Sequence, residues 1–222
     1  MEAIILAGGF GTRLQSVVSD VPKPMAPING RPFLYYLLKN LKQSGFSHII
    51  FAVGYKKEFI MDYFKDEFMG IKISYSIEET PLGTGGCIKK ALGLTNEDYV
   101  WVLNGDTYVD FEYKDNINTF SMVLKKMEDF ERYGEVKVSS SNRIISFEEK
   151  KYCNSGYINT GIYLFPKNIF NSFKIGDNFS LERDFFSNNL DKLNIKALFT
   201  EGYFIDIGIP EDYRKAFEAL HD

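Results

Sequence analysis

An unbroken apolar run, Ala3-Ile-Ile-Leu-Ala7, feeds directly into Gly8-Gly9 and then Gly11. A run with no polar alternation reads as a strand buried on both faces, as found inside parallel sheets. The glycines that end it remove side chains where backbone must approach a ligand closely, so consecutive N–H groups can point at phosphate oxygens. Ile49-Ile-Phe-Ala-Val53 and Tyr99-Val-Trp-Val-Leu103 repeat the buried-strand pattern. Between the first strand and the one at Ile49, Leu34, Leu37, Leu38 and Leu41 share one helical face opposite Lys39, Asn40, Lys42 and Gln43, with Gly45 as the stop. Further helices are expected from Lys56 to Lys65 and from Thr84 to Leu92, the latter closed by Gly93. The first hundred residues therefore alternate strand and helix as βαβ units do.

After Asp106 the pattern turns strand-rich, with segments at Ser121 to Lys126, Gly134 to Val138, Arg143 to Glu148 and Tyr157 to Phe165. Ser180 stands as an N-cap before a helix, and Pro210 opens a last helix through Leu220. No repeat, low-complexity stretch or linker interrupts the chain, so residues 1–222 read as a single α/β domain. Its site is expected at the carboxyl ends of the parallel strands.

Charge and cysteine content exclude several classes. With 26 Lys+Arg against 30 Asp+Glu the net charge is -4, which lacks the footprint of a nucleic-acid-binding protein. Cys87 and Cys153 form no C-x-x-C pair, and His48 and His221 lie far from both in sequence, so neither a zinc site nor a disulfide framework is expected. His48 is given no role. The N-terminus has no signal-peptide pattern, and no apolar run reaches the ~18 residues of a membrane span, so a soluble cytoplasmic protein is expected. Aromatic runs such as Phe33-Leu-Tyr-Tyr36 and Asp184-Phe-Phe186 suit core or subunit packing better than a base-stacking platform.

Several short motifs carry candidate chemistry. In Leu6-Ala-Gly-Gly-Phe-Gly-Thr-Arg-Leu14 the loop adds a forked cation, Arg13, to the glycine trio. It is not a Walker A loop, and Leu14 stands where a dinucleotide fingerprint needs its third glycine. Read alone, it is also a Gly-rich turn with a surface arginine. Pro22 and Pro24 bracket Lys23, holding it in an extended, helix-incompatible segment; a solvated loop lysine is the plainer reading. Asp106, at the end of Asn104-Gly-Asp106 where a buried strand stops, suits an oxygen ligand for Mg²⁺ on phosphates, or a turn cap. Asp206 interrupts the apolar Phe204 to Pro210 segment, and a buried acid needs a cation.

Together with Pro81-Leu-Gly-Thr-Gly-Gly86, Phe147-Glu-Glu-Lys150, Asn159-Thr-Gly161 and Asp206-Ile-Gly-Ile-Pro-Glu-Asp-Tyr213, these motifs, in order along nearly the whole chain, resemble the sugar-1-phosphate nucleotidyltransferases. Lys23-Pro-Met-Ala-Pro-Ile28 with Asn29-Gly-Arg-Pro-Phe33 is most similar to the heptose 1-phosphate guanylyltransferase branch, with mannose-1-phosphate guanylyltransferases as near relatives. The resemblance implies a Rossmann-like mixed, mainly parallel sheet flanked by helices, of the nucleotide-diphospho-sugar transferase type. It implies the transfer of a nucleoside monophosphate, GMP from GTP, to D-glycero-α-D-manno-heptose 1-phosphate, giving GDP-heptose and pyrophosphate for surface polysaccharide (capsule, lipopolysaccharide or S-layer glycan). By the same resemblance Leu6, Ala7, Gly8, Gly9, Gly11, Thr12, Gly83 and Asp106 bind the nucleotide, and Arg13 and Lys23 are catalytic. Gly134, Glu149, Lys150 and Asn159 hold the sugar phosphate, and Asp106 and Asp206 carry Mg²⁺. Many relatives have proline where this chain has Lys151. Gly83 is expected to let a base edge reach main chain. In the physical step, a sugar-phosphate oxygen attacks the α-phosphorus in line with departing pyrophosphate, so positioning and charge neutralisation suffice.

The alternatives are a mannose-1-phosphate guanylyltransferase, a uridylyl- or thymidylyltransferase, a glycosyltransferase using nucleotide sugars, and a non-catalytic nucleotide-sugar binding subunit. Asn104-Gly-Asp-Thr-Tyr108 lacks the D-x-D expected of the glycosyltransferase. The appended left-handed β-helix of many relatives is expected to be absent, and a homodimer is left open.

Overall fold

Strand β1 (Glu2–Leu6) sends Ile4 to one face of the sheet and Ala3 and Ile5 to the other, and all three are fully buried. Both faces are covered, which is why the run carries no polar alternation. The structure, a computed structural model, describes residues 1–9, 14, 17, 18 and 20–221.

A short ribbon, β2 (Pro27–Ile28) and β3 (Arg31–Pro32), leads into α1 (Phe33–Gln43), then β4 (His48–Val53), α2 (Lys57–Phe64), β5 (Glu67–Phe68) and β6 (Ile71–Ile77). Helix α3 (Gly83–Ala91) precedes β7 (Tyr99–Asn104), β8 (Thr107–Val109) and the long β9 (Ser121–Phe130). The hairpin β10 (Glu135–Val138) and β11 (Ile144–Phe147) is followed by β12 (Cys153–Pro166). A π-helical turn (Leu181–Phe186) runs into a short α4 (Ser187–Asn189), and β13 (Lys196–Thr200), β14 (Phe204–Asp206) and α5 (Pro210–Ala219) complete the chain.

The main sheet orders its strands β11-β10-β12-β7-β1-β4-β6-β5, with β9 pairing β12 and β13 pairing β9. Its centre, β7-β1-β4-β6, is parallel, whereas β12 and β10 add antiparallel strands beside it. The mixed sheet flanked by helices is the fold class expected. One face packs Ile4, Ile50, Val100 and Val102 against Ile88 and Ala91 of α3 and Phe185 and Phe186 of the π-helical turn. The other packs Ile5, Phe51 and Leu103 against Leu34, Leu37, Leu38 and Leu41 of α1. Each such side chain contributes roughly 1.5–3 kcal/mol by leaving water, which holds the sheet rigid beneath its strand ends.

The buried aromatics Phe33, Tyr36, Phe185 and Phe186 are core residues, as expected. Ser180 does cap a helix, its side chain accepting from Arg183 N, but the turn it opens is π-helical. His48 is partnered: it lies within β4, with Nδ1 3.0 Å from Glu2 Oε1 and Nε2 2.8 Å from Ser74 Oγ. Thr95 also donates to Glu2, closing a polar cluster under the amino ends of the parallel strands. Among the described residues no helix is long and apolar enough to cross a membrane.

Candidate active site

Four parallel strands stop on the same side of the sheet, and the loops leaving them line one cleft. Ala7-Gly8-Gly9 comes after β1, Gly54-Tyr55 after β4 and Glu78-Glu79 after β6, and Asp106 lies just past β7. The cleft measures about 810 Å³, ample for a nucleotide. Close contact between strand ends requires missing side chains. A Cβ on Gly105 would lie 2.6 Å from Leu6 O, and Gly105 N donates to that same oxygen at 2.9 Å.

Lys23 enters this floor from outside the sheet. It begins a single 3-10 turn, Lys23–Met25, behind an extended Pro22. The extended segment expected from the bracketing prolines is thus confined to Pro22. Proline at the second position of a short helical turn needs no N–H partner, so the turn forms despite it. The solvated-lysine reading also fails, because the Lys23 side chain is only 8% exposed. Its ammonium lies 2.5 Å from Asp106 Oδ2 and 3.6 Å from Asp206 Oδ1.

Asp206 arrives on β14, which pairs with β8 so that Asp206 stands opposite Thr107. The two acids, a hundred residues apart in sequence, are brought onto one cation. Gly208 makes this arrangement feasible, since a Cβ there would sit 2.8 Å from Asp206 Oδ1 and 3.2 Å from Lys23 Nζ. Its N–H donates to Asp206 Oδ1 at 2.7 Å, fixing the carboxylate.

Of the nucleotide residues read from the sequence, Leu6, Ala7, Gly8, Gly9, Gly83 and Asp106 all line the cleft. Gly11, Thr12 and Arg13 lie outside the described residues. Among the described residues nothing lies within 4 Å of the place of a Cβ on Gly9. Gly83 has a different reason for being glycine. Its φ is +70°, and the place of its missing side chain is filled by Phe179 O at 2.5 Å, so the loop is shaped by packing on Phe179.

Of the residues expected to hold the sugar phosphate, Gly134, Glu149, Lys150 and Asn159, none is among those lining the cleft. Register Glu135 against Ile158 sets Gly134 beside Asn159, and a Cβ on Gly134 would collide with Glu148 O, next to Glu149. Asn159 Oδ1 accepts from Gly161 N at 2.9 Å, and Gly161, at φ +79°, packs against the Asn104 side chain at the cleft wall. Glu149 and Lys150 are exposed.

Sequence reading missed Glu78 and Gly208. Glu78 is half-buried, and burial pushes its carboxyl above the usual range, against a hydrogen bond from Leu82 N and the charge of Lys90. Cys87, also in the lining, is pushed up to about 12 by burial and then by the charge of Glu78, so it is a neutral thiol rather than a nucleophile.

The nucleotidyl transferase family model matches residues 2–222. The chain belongs to the nucleotidyl transferase family. Among curated members of this family it is 52% identical to the D-glycero-alpha-D-manno-heptose 1-phosphate guanylyltransferase of Campylobacter jejuni, covering 96% of this chain and 97% of that one. The enzyme of the same name from Aneurinibacillus thermoaerophilus is 46% identical, covering 99% of this chain and 98% of that one. HddC from Yersinia pseudotuberculosis, solved in complex with GMP-PN, superposes with TM-score 0.87 at 40% identity, covering 99% of both chains. For a nucleotidyltransferase of this family, the cleft at the strand ends is the expected place for the chemistry.

Proposed function

We propose that this chain transfers GMP from GTP to D-glycero-α-D-manno-heptose 1-phosphate, releasing pyrophosphate and GDP-heptose, with Mg²⁺ as the metal. The observation that carries this reading is the Lys23 ammonium held between Asp106 and Asp206 on the floor of a nucleotide-sized cleft. The two full-length relatives named as heptose 1-phosphate guanylyltransferases support the choice of sugar and base.

The sugar-phosphate oxygen is anionic at neutral pH, so attack on the α-phosphorus needs no general base. What limits the uncatalysed reaction is bringing two polyanions into line and neutralising the charge that moves to the leaving pyrophosphate. Lys23 supplies a fixed positive charge at the reacting phosphates, and its two carboxylate partners aim it. Because the ammonium is already oriented, little reorganisation is required as the reaction proceeds. Arg13 holds the departing pyrophosphate in this reading. Glu149 accepts hydrogen bonds from sugar hydroxyls, Lys150 meets the sugar phosphate, and Gly134 and Asn159 complete that pocket.

The acids fit a hard divalent cation, since both carboxylates already reach one shared positive charge. Among the described residues no group of three or more His, Cys, Asp or Glu is placed to hold a metal, and a pair of carboxylates would be the protein's share of a Mg²⁺ site that also takes substrate phosphates. Asp106 and Asp206 are the residues that would hold Mg²⁺, and the ion would supply neutralisation of the charge on the reacting phosphates. The reaction belongs in the cytoplasm, where nucleoside triphosphates are held, and its product is an activated sugar for surface polysaccharide.

A matrix of nucleoside triphosphates against sugar 1-phosphates, read as pyrophosphate released in Mg²⁺, tests this. GTP with the heptose 1-phosphate is expected to give the highest kcat/KM. Silence across the whole matrix overturns the reading, and a maximum at another pair overturns the assigned specificity.

A further inference from the structure

In Asp206-Ile-Gly-Ile-Pro-Glu-Asp-Tyr213 the last two residues stand in the first turn of α5, and each ties a different part of the molecule to the strand that carries Asp206. The Asp212 carboxylate accepts a hydrogen bond from Arg132 Nη1, 80 residues away in sequence, and a longer one, at 3.3 Å, from Lys215 Nζ. Tyr213 OH donates to Pro27 O, on the ribbon that follows the Lys23 turn. Asn29 Nδ2 of that ribbon donates at 2.9 Å to Phe217 O and to Leu220 O, so the helix is held at both ends. Its first turn is thus a hub with the lysine side on one hand and Arg132 on the other.

Arg132 heads Arg132-Tyr133-Gly134, the segment between β9 and β10. Its guanidinium lies 5.0 to 6.0 Å class distance from aromatic carbon, 5.5 Å from the centre of the Tyr133 ring, and that ring packs edge-on against Phe204 of β14 with centroids 5.7 Å apart. The segment is therefore fixed at two points to the element bearing Asp206. A Cβ on Gly134 would collide with Glu148 O, so a shift of the segment is passed on to Glu149 and Lys150. The Asp212 side chain is 15% exposed and that of Arg132 36%, which shields the pair from the full screening of an open surface. Burial opposes the Arg132 charge, but the hydrogen bond to Asp212 and nearby charges, Asp206 among them, hold its pKa above the ordinary value.

We propose that Arg132 is a positioning residue for the sugar 1-phosphate: anchored on Asp212, it holds the segment carrying Gly134 in place relative to Asp206 without touching the reacting atoms. This rests on the transferase reading, and it adds to that reading how the two halves of the site are kept in line. In-line attack tolerates little misplacement of the incoming phosphate. The nucleotide side is built on the ends of the parallel strands and does not depend on Arg132. Loss of the Arg132 anchor should therefore weaken use of the sugar 1-phosphate and spare GTP.

Steady-state kinetics with GTP and the heptose 1-phosphate, and amide hydrogen exchange without substrates, are compared for wild type, Arg132→Ala, Arg132→Lys, Asp212→Asn and Lys215→Ala. Arg132→Ala and Asp212→Asn are each expected to raise KM for the sugar 1-phosphate about 10-fold or more, the range of one charge-assisted hydrogen bond, while KM for GTP changes by less than about 2-fold. Amides of residues 131–134 should exchange faster in both. Arg132→Lys keeps a cation without the planar fork and should fall between wild type and Arg132→Ala. Lys215→Ala removes the other cation from Asp212 and should match wild type in both readouts.

A folded Arg132→Ala with wild-type exchange over 131–134 overturns the proposal, as does one in which both KM values rise alike. Should Arg132→Ala fail to fold, Asp212→Asn and Arg132→Lys decide by the same two readouts. An equal loss in Lys215→Ala would assign the effect to the charge of Asp212 and also overturn it. A wild type silent with every sugar 1-phosphate refutes the transferase reading, whereas unchanged KM values in an active Arg132→Ala refute the positioning role alone.

Discussion

Lys23 carries its charge to a position where an unpaired ammonium would be costly, and Asp106 and Asp206 are what make the position tolerable. The coupling runs both ways, since without Lys23 the two carboxylates would lose the cation they share. Lys23→Ala is expected to cost ~3 kcal/mol or more of transition-state stabilisation, about 10²-fold in kcat or greater. Steady-state kinetics with GTP check this, and near-normal kcat would remove Lys23 from the mechanism. Gly208 offers a gentler probe of the same contact. Gly208→Ala would put a methyl group 2.8 Å from Asp206 Oδ1 and 3.2 Å from Lys23 Nζ, so the pair must separate. A drop in kcat of roughly 10-fold or more is expected, the size of one displaced charge contact, with the protein still folded by circular dichroism. Lys23, Asp106 and Asp206 were singled out as charges set against apolar or proline-bounded surroundings, but their roles came from the resemblance of the ordered motifs, since alone Lys23 reads as a solvated loop lysine. Gly208 was not, because nothing in Ile207-Gly-Ile209 announces that a lysine from position 23 will arrive beside it.

At the level of elements, the parallel strands were readable from their unbroken apolar runs, and α1 from its leucine face. Strand β6, Ile-Lys-Ile-Ser-Tyr-Ser-Ile, was missed although it alternates, and so was β13, which pairs with β9. Both are partly polar, without the unbroken apolar run that marks β1, β4 and β7, and their strand character comes from the neighbours they pair with. Nor could sequence show that His48, at the amino end of β4, meets Glu2 of β1 in register. That cluster carries a stability prediction. Burial raises the Glu2 carboxyl, but hydrogen bonds from Thr95, His48 and Asn96 outweigh it and hold the group below the usual carboxylate range. A carboxyl whose folded pKa is depressed stabilises the fold above its unfolded value, here near 4.5, and that contribution is lost as pH falls through the lower folded value. Glu2→Gln should therefore lose ~1–3 kcal/mol at pH 7, by the scale of a buried hydrogen-bonded acceptor. The difference from wild type should shrink on acidification toward pH 3. Denaturant unfolding at the two pH values measures it, and a pH-independent difference would assign the loss to packing instead.

For the whole molecule, the cleft is a consequence of topology. Strands β7, β1, β4 and β6 run parallel, so their trailing loops converge on one edge whatever their sequences. This explains why the order of motifs along the chain pointed to the site, whereas the contacts across it did not follow from any one motif. Gly83 shows the limit: the sequence shows a bare glycine, but not that Phe179 fills the space of its missing side chain. In the proposed reaction Lys23, Asp106 and Asp206, from three distant parts of the chain, act as one charged unit on the transferring phosphate. A double-mutant cycle on pyrophosphate release, with Lys23→Ala, Asp206→Asn and the pair, tests it most directly. The double variant is expected to be scarcely slower than the worse single variant, because removing either member dismantles the same arrangement. Rate losses that simply multiply would show two independent contributions and contradict it.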